Sequence, residues 1–208
     1  MRNNKNPPTP SIDEVEKYLA QWQRLENYKA QYEALKKLFI QFIPQNTLLN
    51  DILLKVSTLN DFYSTNIFSV YSVAKHIHSL KNVDERLLNS DTDLVDQIAR
   101  VEIRGSEKYF YSFATKYCSH HNPESFPIYD YYVERMLMHF KRCDKFANFK
   151  KEDLKTYSRF KEILLNFRKY YKLEKYSLRE LDRYLWLAGK DYFPRMKSQN
   201  TLQPQPDA

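Results

Sequence analysis

One aspartate and two lysines in residues 104–137 have the types and spacing needed for nucleophilic or acid–base chemistry. Asp130 follows an extended Phe-Pro-Ile-Tyr step and directly precedes a stretch with helical apolar spacing, where it would be held in a fixed orientation. Lys116 has apolar and aromatic neighbours in the sequence. A lysine desolvated by such neighbours can have a lowered pKa and act as an amine nucleophile. Lys108 stands near the expected start of the same helix.

Each of these residues also has an ordinary structural interpretation. An aspartate before a helix is a common N-cap that accepts backbone N–H groups. Lys116 could be a surface lysine whose aliphatic stem packs while its ammonium reaches water. Lys108 could contact a phosphate or be a plain surface charge. Because a capping carboxylate stays ionised and fixed, Asp130 could also stabilise a developing cation or orient a water, so both interpretations stay open.

The elements that must position these residues are predicted to be helices. The chain of 208 residues contains only two glycines, which argues against glycine-dependent hairpins, barrels and phosphate loops. Apolar periodicity predicts an all-α protein of about eight helices, in one domain or two closely packed helical subdomains. We expect disordered tails at 1–10 and 196–208 around a helical domain at 11–195. Capping-box patterns begin at Ser11 and Ser177.

Helix boundaries follow from caps and breakers. We expect Ser106 to cap the helix that carries Lys116, Gly189 to end the last helix, and Phe126–Tyr129 to be extended like a strand. The other predicted helices are 11–44 with a break near Asn27, 48–59, one from Asn66, 93–101, one following Asp130, 151–171, and 177–187.

Positive charge is concentrated in residues 141–175, called the basic segment below. It contains twelve Lys and Arg against five Asp and Glu, whereas residues 1–100 are balanced. A local excess of this kind is typical of a polyanion partner, although a solvated basic helix would look the same. We therefore predict DNA as the partner. The predicted nucleic-acid contacts are Arg104, Gly105, His120, His121, Lys150, Lys151, Lys155 and Arg159.

Several classes of protein are disfavoured by composition. Two cysteines are too few for a disulfide framework, so we expect a reducing, cytoplasmic location. No apolar run approaches the length that spans a bilayer, and we expect no membrane partner. The spacing of Cys118, His120 and His121 matches no established zinc motif, so we predict no metal and no cofactor. We expect a monomer.

Residues 104–137 resemble the core of the helix-hairpin-helix DNA glycosylase superfamily, including its 8-oxoguanine and archaeal branches. The shared order is a turn, a lysine-bearing helix, a loop, a proline-containing extended step, an aspartate and a helix. Residues 126–133, FPIYDYYV, resemble the family's Pro-Val-Asp stretch with one extra residue before the acid. The paired glycines of the family hairpin are absent, with Gly105 alone near that place. Two cysteines cannot supply the iron–sulfur loop of some members.

The resemblance implies two helical subdomains with the active site between them. It also implies a DNA N-glycosylase that flips out a damaged or modified base, in repair or in defence against modified foreign DNA. Asp130 would stabilise the oxocarbenium-like sugar or activate the nucleophile. Lys116 or Lys108 would attack the anomeric carbon and form a Schiff base that permits AP-lyase cleavage; if neither does, Asp130 would direct a water. The alternative is a non-catalytic, basic, helical nucleic-acid-binding protein.

Overall fold

The computed structural model describes residues 6–194, which form helices and one small β-hairpin. The all-α prediction is confirmed. None of the helices within these residues is long and apolar enough to cross a bilayer. The elements in chain order are α1 Ile12–Gln23, α2 Glu26–Lys36, a π-helical turn Lys37–Phe42, α3 Leu49–Tyr63, α4 Val70–Ser79, α5 Val83–Leu88, α6 Asp93–Ala99, β1 Arg100–Ile103, β2 Ser106–Tyr109, α7 Tyr111–His121, α8 Tyr131–Asp144, a 3₁₀ turn Glu152–Lys155, α9 Tyr157–Tyr170 and α10 Leu178–Tyr192.

Three helix starts predicted from capping residues are confirmed. The Ser11 hydroxyl accepts the Glu14 N–H at 3.2 Å at the start of α1. Ser177 and Glu180 form a complete capping box at the start of α10. The Asp130 carboxylate accepts the Tyr132 N–H at 2.7 Å, which makes it the N-cap of α8. Local hydrogen bonding therefore fixes these three boundaries.

The buried apolar side chains form one connected cluster, and α7 contributes several of its members. Nine of the eleven residues of α7 are buried, so its side chains are withdrawn from bulk water. Helix α10 packs against α1 and α8. Gly189 lies inside α10, where an added Cβ would stand 2.6 Å from the Tyr132 Cβ. The prediction that Gly189 ends the last helix is wrong, because this glycine instead permits the close approach of α8 and α10.

A β-hairpin occupies the place where Ser106 was expected to cap a helix. Strands β1 and β2 pair antiparallel, with Val101 opposite Lys108. Arg104 and Gly105 have φ angles of 52° and 75° and form the two-residue turn, a conformation whose twist suits a hairpin. The predicted cap is wrong because Ser106 begins β2, and α7 starts only at Tyr111.

The basic segment is also divided differently from the prediction. The helix expected over 151–171 is interrupted, since Thr156 is extended between the 3₁₀ turn and α9. The Asp153 carboxylate accepts the Lys150 N–H at 2.6 Å and holds this separate turn. At the N-terminus, Pro7 and Pro10 are buried, so residues 6–10 are not a loose tail. Residues 1–5 and 195–208, which include the rest of both predicted tails, lie outside the described residues.

Candidate active site

Lys116 and Asp130 line the same pocket, which has a volume of about 240 Å³. The pocket lies among α1, α2, α3, α7, the start of α8 and α10. Its wall combines aromatic rings with five charged side chains. The aromatic members are Trp22, Tyr28, Tyr32, Phe62, Tyr63 and Trp186, and the charged members are Lys116, Asp130, Arg179, Asp182 and Arg183.

The lysine of the pocket is held by its own helix. Lys116 is 5% exposed, and its ammonium donates hydrogen bonds to the Ser112 hydroxyl at 2.6 Å and to the Ser112 carbonyl at 3.3 Å. The ammonium also lies 5.3 Å from the centre of the Tyr63 ring, which allows a cation–π interaction. Burial and these contacts fix the position of the amine at the pocket wall.

The extended step before Asp130 is fastened to α7 by hydroxyl groups. The Tyr129 N–H donates to the Thr115 hydroxyl at 3.1 Å, and the Ser112 hydroxyl donates to the Tyr129 carbonyl at 3.1 Å. The Tyr157 hydroxyl donates to the Pro127 carbonyl at 2.9 Å. The step is assigned to no strand, since side chains satisfy the backbone groups that a neighbouring strand would pair. Two of these three hydrogen bonds join the step before Asp130 to α7, the helix that carries Lys116.

A second carboxyl group belongs to the pocket. Asp182 is half-buried on α10. Burial raises its pKa to about 6, with Arg179 opposing the shift and the Asp130 carboxylate adding to it. The charge of Lys116 also acts on Asp182 and lowers its pKa. A carboxyl group with a pKa of about 6 can exchange a proton with a molecule bound in the pocket.

Two arginines of the pocket have unused donors. Arg179 is 8% exposed, and its Nη2 donates to the Ser119 carbonyl at 3.0 Å and the Ser119 hydroxyl at 2.9 Å. The Arg183 guanidinium lies 4.8 Å from the Trp22 ring centre and 4.6 Å from the Tyr32 ring centre. The Nε atoms of both arginines are buried without a hydrogen-bond partner. Unpaired buried donors are costly, which makes these two Nε–H groups unusual features of the pocket wall.

The aromatic part of the wall is a cluster of edge-on rings. The Trp186 ring lies 5.1 Å from Tyr28 and 6.2 Å from Trp22, both at steep angles. The Lys190 ammonium covers Trp186 at 4.3 Å. Trp186 is half-buried and packs against the hydrophobic core from the pocket wall. A planar, apolar group entering the pocket would meet these rings.

The hairpin residues of the predicted site lie elsewhere. Arg104, Gly105 and Lys108 are exposed, and none of them lines the pocket. Of the two lysines considered from the sequence, the pocket contains Lys116 alone.

Neither predicted histidine contact is an exposed ring, since His120 is buried and His121 is partly buried. His120 is 4% exposed and lies 3.0 Å from the Tyr63 hydroxyl. The His121 Nε2 lies 3.3 Å from the Lys55 ammonium and 3.3 Å from the Asn46 amide nitrogen. Burial lowers the pKa of both rings well below the usual value for histidine. Rings with so low a pKa carry no positive charge for a phosphate at neutral pH, and the contact of His120 and His121 with nucleic acid stays a prediction.

The basic segment keeps exposed cations, several of which have acidic partners. Lys151 pairs with the buried Glu134 carboxylate at 3.0 Å, and Lys155 lies 3.9 Å from the same group. Arg159 pairs with Glu162. Lys150 is exposed. Because Glu134 lies one turn after Asp130 on α8, the paired lysines also help to hold that helix.

Comparisons with known proteins show the family. The HI_0787_N family model, described as an N-terminal domain, matches residues 14–125, more than half of the chain. The chain belongs to the HI_0787_N family. An uncharacterised protein of Haemophilus influenzae is 50% identical over 157 residues, which cover 76% of this chain and 75% of that protein. No solved structure matches the chain. The HI_0787_N match includes Lys116 and ends before Asp130 and α10.

Sequence reasoning missed the members of the site that lie on α1, α2, α3 and α10. A usable signal exists on α10, where Arg179, Asp182, Arg183 and Trp186 follow the i, i+3, i+4, i+7 spacing of one helix face. Three charged side chains on a face that packs towards the protein interior indicate a polar cavity. For α1 and α2 no comparable signal exists, because their aromatic residues have the spacing of ordinary core positions.

Proposed function

We propose that the protein is a DNA glycosylase that excises a damaged or modified base after flipping its nucleotide into the pocket of Lys116 and Asp130. The observation that carries the proposal is the presence of this amine and this carboxylate in one aromatic-walled pocket. The resemblance of residues 104–137 to helix-hairpin-helix glycosylases supports the same reading. Base flipping is required because the glycosidic bond cannot be reached inside the stacked duplex.

The proposed chemistry follows from the positions of these groups. In its neutral form the Lys116 amine would bond to C1′ of the deoxyribose while the C1′–N bond breaks and the base leaves with the electron pair. The Asp130 carboxylate would stabilise the positive charge that develops on the sugar. Asp182, with a pKa of about 6, can hold a proton for the departing base. Loss of the amine proton and ring opening then yield a Schiff base, which permits strand cleavage.

The remaining pocket residues would recognise the extruded nucleotide. The aromatic rings provide a stacking surface for a base. The guanidinium groups of Arg179 and Arg183, which line the pocket, would donate to oxygen atoms of the base or of its phosphate. Exposed lysines of the basic segment, such as Lys150, would hold the phosphate backbone.

Borohydride trapping tests the proposal on duplexes that carry a panel of damaged or modified bases. We expect a covalent complex with the wild type that is lost in Lys116→Gln and Asp130→Asn. Lys108→Gln is the matched control, because Lys108 is an exposed lysine outside the pocket, and it should trap normally. A complex lost in Lys108→Gln and kept in Lys116→Gln would refute the assignment of the nucleophile.

A parallel hot-alkali assay separates the remaining outcomes. Alkali-dependent cleavage without trapping would identify a glycosylase in which Asp130 directs a water. The exposed charge of the basic segment also supports a second candidate, a non-catalytic nucleic-acid-binding protein. That candidate predicts salt-sensitive DNA binding without product on any duplex of the panel.

A further inference from the structure

We propose that Phe68 is the side chain that enters the duplex and fills the space left by the flipped nucleotide. The proposal rests on the proposed function, since it assigns a step of base flipping. Phe68 is 98% exposed, the highest value among the exposed large apolar side chains of residues 6–194. A single exposed apolar residue needs no special explanation. The location and the rigidity of its loop distinguish Phe68.

The loop that carries Phe68 begins at the pocket rim. Phe62, Tyr63 and Ser64, at the end of α3, line the pocket. Four peptide units separate Ser64 from Phe68, so their Cα atoms are at most about 15 Å apart. A ring at this position can reach the duplex beside a nucleotide that has left the stack.

The same loop is fixed by hydrogen bonds to α3. The Asn60 side-chain oxygen accepts the Ile67 N–H at 2.9 Å and the Thr65 hydroxyl at 2.7 Å, and the Asn60 amide donates to the Ile67 carbonyl at 3.1 Å. Ile67 is 3% exposed and anchors the loop in the core. The chain therefore buries one apolar side chain and presents the next to solvent on an ordered backbone. Such preorganisation lowers the entropic cost of inserting the ring.

The surroundings of Phe68 are compatible with a polyanion. Residues 62–83 contain no aspartate or glutamate and include Lys75 and Lys81. Apolar side chains such as phenylalanine are known to insert as wedges between the base steps of duplex DNA. The proposed partner of the ring is therefore the base stack of duplex DNA at the site of flipping.

The test compares two duplexes that differ at one nucleotide. One is intact, and the other carries a tetrahydrofuran abasic-site analogue at that position. Dissociation constants are measured for the wild type, Phe68→Ala, Phe68→Leu and Leu88→Ala. Leu88 is the matched control, because it is 79% exposed on α5 and does not line the pocket. Permanganate oxidation of thymines beside the analogue reports whether the neighbouring bases remain stacked.

We expect the wild type and Leu88→Ala to prefer the analogue duplex and to alter the permanganate reactivity of its flanking thymines. Phe68→Ala should lose about tenfold in affinity for the analogue duplex, as for other aromatic–base stacking contacts, and less than twofold for the intact duplex. Phe68→Leu should retain most of the preference. The exposed substitutions should shift the melting temperature by no more than about 2 °C, so folding does not confound the result.

Two results would overturn the assignment while leaving the glycosylase proposal in place. The first is a Phe68→Ala variant that prefers the analogue duplex as strongly as the wild type does. The second is an equal loss of affinity for both duplexes, which would mean that Phe68 contacts DNA without regard to a missing base. If the wild type binds neither duplex, the proposed function itself fails, and the assignment of Phe68 fails with it.

Discussion

Replacement of Asp182 by asparagine should make the protein more stable at neutral pH and less active. Burial raises the pKa of this carboxyl group from 3.8 to about 6, so its ionised form is unfavourable in the folded protein. Each pKa unit corresponds to about 1.4 kcal/mol, which gives about 3 kcal/mol for the whole shift. Because Asp182 is half-buried, solvent screening reduces this value, and we expect a gain of about 1–2 kcal/mol.

The pH dependence provides the decisive signature. An acid with a raised pKa in the folded state binds more protons there than in the unfolded chain between pH 3.8 and about 6. The wild type therefore loses stability as pH rises through this interval. The asparagine variant lacks this titration, so its advantage should be near zero at about pH 4 and reach its full size above about pH 6.5.

Urea unfolding followed by circular dichroism at pH 4.5 and pH 7.5 measures the difference. Asp61→Asn is the control, because Asp61 is exposed on α3, and it should change the free energy of unfolding by less than about 0.5 kcal/mol at either pH. Base release by Asp182→Asn should fall in the alkali assay if Asp182 supplies a proton. A pH-independent difference, or a variant less stable than the wild type at pH 7.5, would refute the electrostatic argument.

Three further predictions concern the framework of the site. Gly189→Ala should destabilise the protein by about 1–3 kcal/mol, because the new methyl group would overlap Tyr132, and thermal unfolding measures this loss. Burial lowers the pKa of Lys55 from 10.5 to about 8. Between pH 8 and pH 10.5 the unfolded chain therefore binds more protons than the folded protein, and the free energy of unfolding should rise with pH. Urea titrations should show that this rise is absent in Lys55→Met. Thr115→Val removes the acceptor of the Tyr129 N–H and should cost about 1–3 kcal/mol; if trapping and unfolding were both unaffected, Thr115 would not hold the extended step.

The confirmed predictions depend on hydrogen bonds between residues that are close together in the sequence. Ser11, Asp130 and Ser177 carry acceptors that pair with N–H groups two or three residues later, so a few residues of sequence are sufficient to place each helix start. Lys116 and Asp130 could be proposed together for a similar reason, because they lie within one helix-loop-helix unit.

The misses arise from contacts between distant parts of the chain. The turn at Arg104–Gly105 forms with a single glycine because Arg104 takes a positive φ angle, which sequence patterns rarely indicate. The aromatic wall of the pocket brings Trp22 and Tyr28 into contact with Trp186, and no local sequence pattern links residues so far apart in the chain. Histidine is often found at the surface as a binding residue. His120, however, lies on α7, where tertiary packing buries it.

The two tryptophans of the chain, Trp22 and Trp186, both stand in the pocket wall with ring centres 6.2 Å apart. Indole emission from the unmodified protein is therefore a report from the pocket alone, with no contribution from other sites. A nucleobase stacked on either ring should quench this emission. Titration with free bases and nucleosides would then rank occupants of the pocket without labels, DNA or turnover.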